Sequence, residues 1–320
     1  MEILGVGVLV LVLAMIADLI FGEPPEFLHP TVWMGRLAQG IKERLRQGGP
    51  VVERLQGSFL AIGVLVLFAV PTYFGLQALH QYFGLIPYLI MSVLLLKTTL
   101  AIKAMAKFIT PIADAARVGD YGKARQLLRN VVRRNPDQLS DQQVLSAAVE
   151  TIAEGTVDGV TGPIFLYSLL GVPGAVAYRA INTLDSTVGY KDRPHLYIGW
   201  FSAKLDTLAN YAPARLTGIL TVVSSWILGL DWSNCLRVLR RDHARTTSLN
   251  AGWSMSAMAG ALGVTLEKPG HYALGESSHA LDPADITKAL RVMKLNVLLF
   301  TLLVGIPLMV IAGMLVQAVV

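Results

Sequence analysis

From Asn296 to Val320 the chain carries no charged residue. A helix of that length crosses about 30 Å of hydrocarbon, which takes ~20 residues. In lipid a segment must satisfy its own backbone, and only helices and closed barrels do so. Three more runs have the same character: Ile3–Phe21, Ser58–Leu79 and Leu85–Ile102. Charged residues make up only 15% of the chain, against roughly 25% in a typical soluble domain. These runs predict an all-α, polytopic integral membrane protein with four firm spans, forming one membrane-embedded domain over residues 1–320. Two other apolar runs are irregular. Val160–Ala180 contains Pro163 and Pro173, and Leu216–Leu230 is short for a span. Such segments are more often re-entrant or buried in protein than simple spans. The first run follows Glu2 rather than a basic segment, and no small-residue cleavage site follows it. It is therefore expected to be a retained span, not a signal peptide.

Lysine and arginine set the sides. The connections Gly22–Gly57, Lys103–Gly159 and Asp231–Leu295 are rich in both, whereas His80–Gly84 has neither. The positive-inside rule makes the three basic connections cytoplasmic and puts the N-terminus outside. It follows that the two irregular runs both cross or both fail to cross. The cytoplasmic regions read as helical. Ser140 to Gln143 has capping-box form, for a helix through Glu154. Asp282-Pro283 is an N-cap followed by proline, for a helix that could run on into the last span. Ala113–Arg134 reads as one amphipathic helix with a basic face, and no alternating strand pattern stands out. The net charge of +5 comes without a basic run interleaved with aromatics, so no nucleic-acid partner is expected. The lone Cys235 excludes an internal disulfide and is expected to be a buried, inert thiol.

Four polar stretches interrupt this apolar chain. There is no GxxxxGK[ST] loop, GxGxxG, HExxH or GxSxG, so a nucleotide site would be of an uncommon kind. In "ETIAEGTVD", Glu150, Glu154 and Asp158 are four apart and share a face if the helix persists. Such carboxylates suit a magnesium site beside a phosphate, or simply a solvated acidic face paired with arginines. The stretch Asn182–Thr217 crowds acidic and basic side chains between two apolar runs. Asn182, Asp185, Asp206 and Asn210 suit fixed hydrogen bonds, while Lys191, Lys204 and Arg215 suit phosphate. The alternative is an ordinary polar loop. "FGEPPEFLHPTVWMGR" follows the intramembrane Asp18 and offers His29, Trp33 and Arg36. "SLNAGWSMSAMAGALGV" offers Asn250 and Trp253 among small residues, which equally suit tight helix packing.

In this order, the stretches FGEPP…HPTVWMGR, AEGTVDGVTGPIF, GVPGAVAYRAINTLDSTVGYKDRPHLYIGWFSAKLDTLANYAPARLTG and NAGWSMSAMAGALGV resemble the CobD/CbiB family of cobalamin biosynthesis, over nearly the whole chain. An unrelated pyridoxal-phosphate decarboxylase also bears the name CobD, and nothing here resembles it. Gly155 stands where the family pattern, AENTxDG, usually has asparagine. The resemblance implies an adenosylcobinamide-phosphate synthase, a membrane-bound ATP-dependent ligase. Its substrates would be adenosylcobyric acid, ATP and (R)-1-aminopropan-2-ol phosphate or aminopropanol, with Mg2+ as cofactor. Glu154, Asp158 and Asp185, with Glu150 as a weaker fourth, are then expected around magnesium. Asp206, Lys191 and Asp185 are the expected catalytic residues, with Asp206 the base. Asn182, Tyr190, Lys204, Asn210, Arg215, His29, Arg36, Trp33, Asn250 and Trp253 are expected to bind substrate, and Trp200 to stack on it. Because ATP is cytoplasmic, the site is expected to face the cytoplasm from the cytoplasmic membrane, beside other membrane-associated late enzymes of the pathway. A transporter and a non-catalytic AmpE-like sensor are the competing classes.

Overall fold

The computed structural model describes residues 2–45, 48–132, 134–189 and 197–319. Its contacts cluster into two compact units: Met1–Ala101 with Gly162–Asn210 and Val304–Val320, and Ile102–Thr161 with Tyr211–Leu303. The fold is helical almost throughout, as the apolar runs require. Among the described residues, four stretches are long and apolar enough to cross a membrane: Pro50–Phe83, Leu85–Arg117, Asp141–Val188 and Pro283–Leu315. Gly5–Phe21 is a shorter apolar helix. The Val160–Ala180 run thus lies within one of the four.

The first unit holds α1 (Glu2–Phe21), α2 (Pro30–Lys42), α3 (Pro50–Phe83), α4 (Leu85–Lys97), α8 (Gly162–Val188), α9 (Trp200–Ala209) and α14 (Ile306–Val319). Its central feature is a reversal in α8. Gly171 has φ 67° and ψ −160°, outside the helical region. A Cβ on Gly174 would overlap Leu166 O, and one on Gly162 would overlap the Tyr178 ring. In a straight helix residues 162 and 178 would stand roughly 24 Å apart, at 1.5 Å per residue. The chain therefore doubles back at Gly171, and α8 is a hairpin of two antiparallel arms, 162–170 and 172–188. Glycine at 171 permits the positive φ, and Pro173 falls in the first turn of the second arm, where its missing N–H costs nothing. This is the form expected of a broken, re-entrant segment.

The second unit holds α5 (Ile102–Arg117), α6 (Tyr121–Leu128), α7 (Asp141–Thr156), α10 (Tyr211–Ile227), α11 (Trp232–Asp242), α12 (Ala251–Leu262) and α13 (Pro283–Phe300). Strands β1 (Leu266–Lys268) and β2 (Tyr272–Leu274) form a small antiparallel hairpin. Ile109, Ile112, Val144, Leu145, Ile152, Met255, Ile286 and Met293 fill its core. The capping box of Ser140 and Gln143 starts α7, and that of Asp282 and Asp285 starts α13. The expected helix over 113–134 is corrected: it breaks at Gly119, which has φ 78°, and Asp120 caps α6 by accepting from the Lys123 N–H. The β-hairpin also departs from the expectation of no strands, because three-residue strands are too short to show alternation. α10 carries the Leu216–Leu230 run and ends before Gly229, at φ 68°. Its small residues pack closely, and Gly260 of α12 lies against Cys235 of α11, where a Cβ would come within 2.7 Å of the Cys235 Cα. Cys235 is fully buried and donates to Ala257 O at 3.1 Å.

Candidate functional site

In the first unit, the second arm of α8 and α9 together build a polar cluster. Asp206 and Asn210 share a face of α9, as their spacing predicts. The Asn210 amide donates to both Asp206 oxygens, at 3.1 and 3.2 Å, and Asn182 donates to Oδ1 at 3.4 Å. The fully buried Tyr178 hydroxyl donates to Asn210 Oδ1 at 2.6 Å. That bond fixes which way the amide faces, so its NH2 points at the carboxylate. Burial pushes the Asp206 carboxyl above its ordinary range, and the Asn210 and Asn182 bonds partly offset this. A carboxylate so held is a stronger base than one in water.

Asp185 lies one turn beyond Asn182 on the same arm, and a Cβ on Gly189 would overlap its Oδ1. Gly199 lies close to Val188, where a Cβ on Gly199 would overlap Val188 O. Tyr190 and Lys191 lie outside the described residues. Lys204 is exposed on α9. Trp200 and Tyr197 face Arg54 of α3, whose guanidinium lies 5.3 and 5.6 Å from their rings. His29, Trp33 and Arg36 belong to the start of α2. Their bonds are local: His29 with Glu23 at 2.8 Å, Trp33 to Phe27 O at 3.0 Å, and Arg36 to Glu26 at 3.4 Å. Helix α2 packs on the second arm of α8, with Gly35 against Thr183. It brings these residues to the arm that carries Asn182. Asp18 is fully buried on α1.

In the second unit, Glu150 is committed to a structural network. Arg134 approaches both its oxygens at 3.2 Å, and Ser146 and Tyr272 donate to it at 2.7 and 2.8 Å. Burial, then the charges of Glu150 and Glu154, push the Tyr272 hydroxyl well above its ordinary range. Glu154 is exposed and Asp158 half-buried. The α-helix does not persist through all three carboxylates: residues 157–161 form a π turn, so the four-residue register of Glu150 and Glu154 is not kept at Asp158. Single π turns of this kind occur frequently at functional sites. Among the described residues no group of three His, Cys, Asp or Glu is placed to hold a metal ion. Magnesium, however, commonly takes only one or two carboxylates together with substrate phosphates. Glu154 and Asp158 would supply two carboxylates in that mode, and Glu150 is bound by Arg134, Ser146 and Tyr272. At Gly155 a Cβ would overlap Met105 Cε, so the Met105 side chain occupies the space an asparagine would need.

Arg215, Asn250 and Trp253 do come together in this unit. Arg215 Nη1 donates to Asn250 Oδ1 at 3.3 Å, and its guanidinium lies 5.0 Å from the centre of the Trp253 ring. Tyr178, Tyr211 and His243 were not singled out from the sequence. Two of them left a signal, since Tyr178 precedes Asn182 and Tyr211 precedes Arg215 by one helical turn. His243, which stacks on Trp253 from another helix, left none.

A family model described as CobD/Cbib protein matches residues 11–293. A "Probable cobalamin biosynthesis protein CobD" of Methanothermobacter thermautotrophicus is 42% identical, over 92% of this chain and 95% of that protein. The "Cobalamin biosynthesis protein CobD" of Dehalococcoides mccartyi is 37% identical, over 91% and 92%. The "Cobalamin biosynthesis protein CbiB" of Salmonella typhi is 34% identical, over 88% and 91%. No solved structure matches this chain. With a family model covering most of its length and relatives aligned nearly end to end, the chain belongs to the CobD/CbiB family.

Proposed function

We propose that this protein acts in cobalamin biosynthesis as adenosylcobinamide-phosphate synthase, joining adenosylcobyric acid to (R)-1-aminopropan-2-ol phosphate, or to aminopropanol, at the expense of ATP. The family match supports the pathway. The observation that supports the chemistry is Asp206, a carboxylate raised by burial and held by two amides.

An amine does not displace hydroxide from a carboxylate at a useful rate. In this reading a propionate oxygen of the corrinoid attacks the γ-phosphorus of ATP. The O–P bond forms as the bond to ADP breaks, leaving an acyl phosphate. Asp206 takes a proton from the incoming ammonium, whose nitrogen then attacks the acyl carbon. Inorganic phosphate leaves with the bonding pair, and the second nitrogen proton goes with it. Asn210 and Asn182 hold Asp206 in place, and Tyr178 holds Asn210. Magnesium, held by Glu154 and Asp158 with phosphate oxygens, would neutralise charge on the transferring phosphoryl group. Lys191 and Lys204 are the cations proposed to bind phosphate. The corrinoid, large and amphipathic, fits a site at a membrane interface that faces the cytoplasm.

Purified protein in detergent or nanodiscs, given ATP, magnesium, adenosylcobyric acid and aminopropanol phosphate, should release ADP only when all are present and yield the amide by mass spectrometry. Release of AMP would replace the acyl phosphate by an acyl adenylate. Broken helices such as α8 also line transporter sites. Uptake of corrinoid into proteoliposomes without chemical change would favour that class, and no chemistry or uptake would favour an AmpE-like sensor.

A further inference from the structure

Arg215 is held more firmly than its surroundings require. Its guanidinium carbon lies 3.4 Å from the centre of the Tyr211 ring and 5.0 Å from that of Trp253. The His243 ring follows at 4.4 Å from Trp253. Nη1 donates to Tyr211 O at 2.6 Å and to Asn250 Oδ1 at 3.3 Å. The rings fix the plane of the fork, and the two acceptors fix its rotation. Asn250 is itself buried at 7% exposure, at the start of α12.

Among the described residues the charge of Arg215 has no carboxylate partner. Arg125, Arg129, Arg134, Arg237, Arg241 and Arg245 of the same unit all pair with carboxylates. No Asp or Glu among the described residues pairs with Arg215. Arg240 and Arg291 also lack one, but they are exposed to water, whereas Arg215 is half-buried. A guanidinium has five N–H donors, and the two acceptors here engage only one nitrogen. Immobilising a half-buried cation without a counter-charge costs stability unless an anion completes it. The remaining edge presents donors in the spacing that matches phosphate oxygens.

We propose that the Tyr211–Arg215–Trp253 stack is a rigid seat for the terminal phosphate of a small phosphorylated molecule, with Tyr211 and Asn250 as positioning residues. The choice of molecule rests on the ligase reading, which offers two sources, ATP and the phosphorylated amine.

Binding is read without turnover, by 31P NMR titration of inorganic phosphate, aminopropanol phosphate and an imido analogue of ATP against the full chain in detergent. Arg215→Lys keeps the helix and the charge but loses the fork, and is expected to weaken phosphate binding about tenfold or more. Tyr211→Phe keeps the ring and should bind as the native chain does, and Tyr211→Ala should not. Unchanged phosphate binding in Arg215→Lys would sink the proposal. Displacement of inorganic phosphate by aminopropanol phosphate alone gives the seat to the amine, and displacement by the ATP analogue alone gives it to the nucleotide. A chain that binds phosphate through Arg215 but forms no amide would remove the ligase reading and keep the seat. A working ligase with Arg215-independent binding would do the reverse.

Discussion

At the scale of single residues, the pH dependence of Asp206 is the most direct consequence of its surroundings. A base works only when deprotonated, so the rate should rise with pH through the folded pKa of Asp206. Burial raises that pKa, so the acid limb of the kcat/KM profile should lie above the ordinary carboxylate range. Asn210→Ala and Asn182→Ala each remove an N–H bond that favours the charged form, so both should move the limb to still higher pH. A limb that stays put in both variants would mean that another group titrates. Gly155 makes a separate prediction. Gly155→Asn meets only the flexible end of Met105, which can turn aside, so stability should change by less than about 1 kcal/mol. A larger loss in thermal unfolding, recovered by Met105→Ala in a double-mutant cycle, would show that Met105 cannot move aside. The sequence identified the i,i+4 pair Asp206 and Asn210, because helical spacing alone places such residues on one face. It did not show Tyr178 behind them or Met105 beside Gly155, because those contacts come from chain reversal and from another helix.

At the scale of elements, local chemistry predicted the starts of α7 and α13, since a capping box is written within four residues. The break at Gly119 was legible in principle, with Asp120 three residues before the Lys123 N–H it caps. The β-hairpin was not, because long-range bonds hold it in place. Tyr272 reaches Glu150, and Asp242 of α11 accepts from the Gly275 N–H at 2.8 Å. Asp242 is fully buried and also bound by Arg241 and Arg245. Its burial works to raise the carboxyl, but Arg241, the Gly275 N–H and Arg245 outweigh it and leave the pKa below the ordinary range. A lowered folded pKa contributes stability that is complete above the unfolded carboxylate value and is lost as pH falls through the folded one. Asp242→Asn should therefore lower stability at neutral pH by about 1.5–3 kcal/mol and flatten the acid side of the stability profile. Equal losses at neutral pH and at pH values below the folded pKa would show that Asp242 acts by packing alone.

At the scale of the whole chain, hydropathy was enough to predict a helical membrane protein, because only length and apolarity decide whether a helix can span. It was not enough to say which runs are straight. Val160–Ala180 and its neighbours are apolar enough to count within a spanning stretch, yet Gly171 turns them into a hairpin. Hydropathy averages over a window and is blind to one residue's φ. Glu154 and Asp158 belong to one compact unit and Asp185 to the other, a level of organisation that spacing along a helix does not encode.

Cys235 makes sidedness simple to read. Burial above all, with the nearby charge of Asp231 and against hydrogen bonds from Ser225 and Ala261, pushes its thiol up to about 12. The thiolate is the reactive species, so near neutral pH the native chain is chemically silent towards maleimides. Any cysteine added elsewhere reports alone, without first engineering the native one away. Asp192→Cys, outside the described residues, should label from the cytoplasmic face in inverted vesicles. Labelling only from the opposite face would place the polar stretch on the side where ATP is absent.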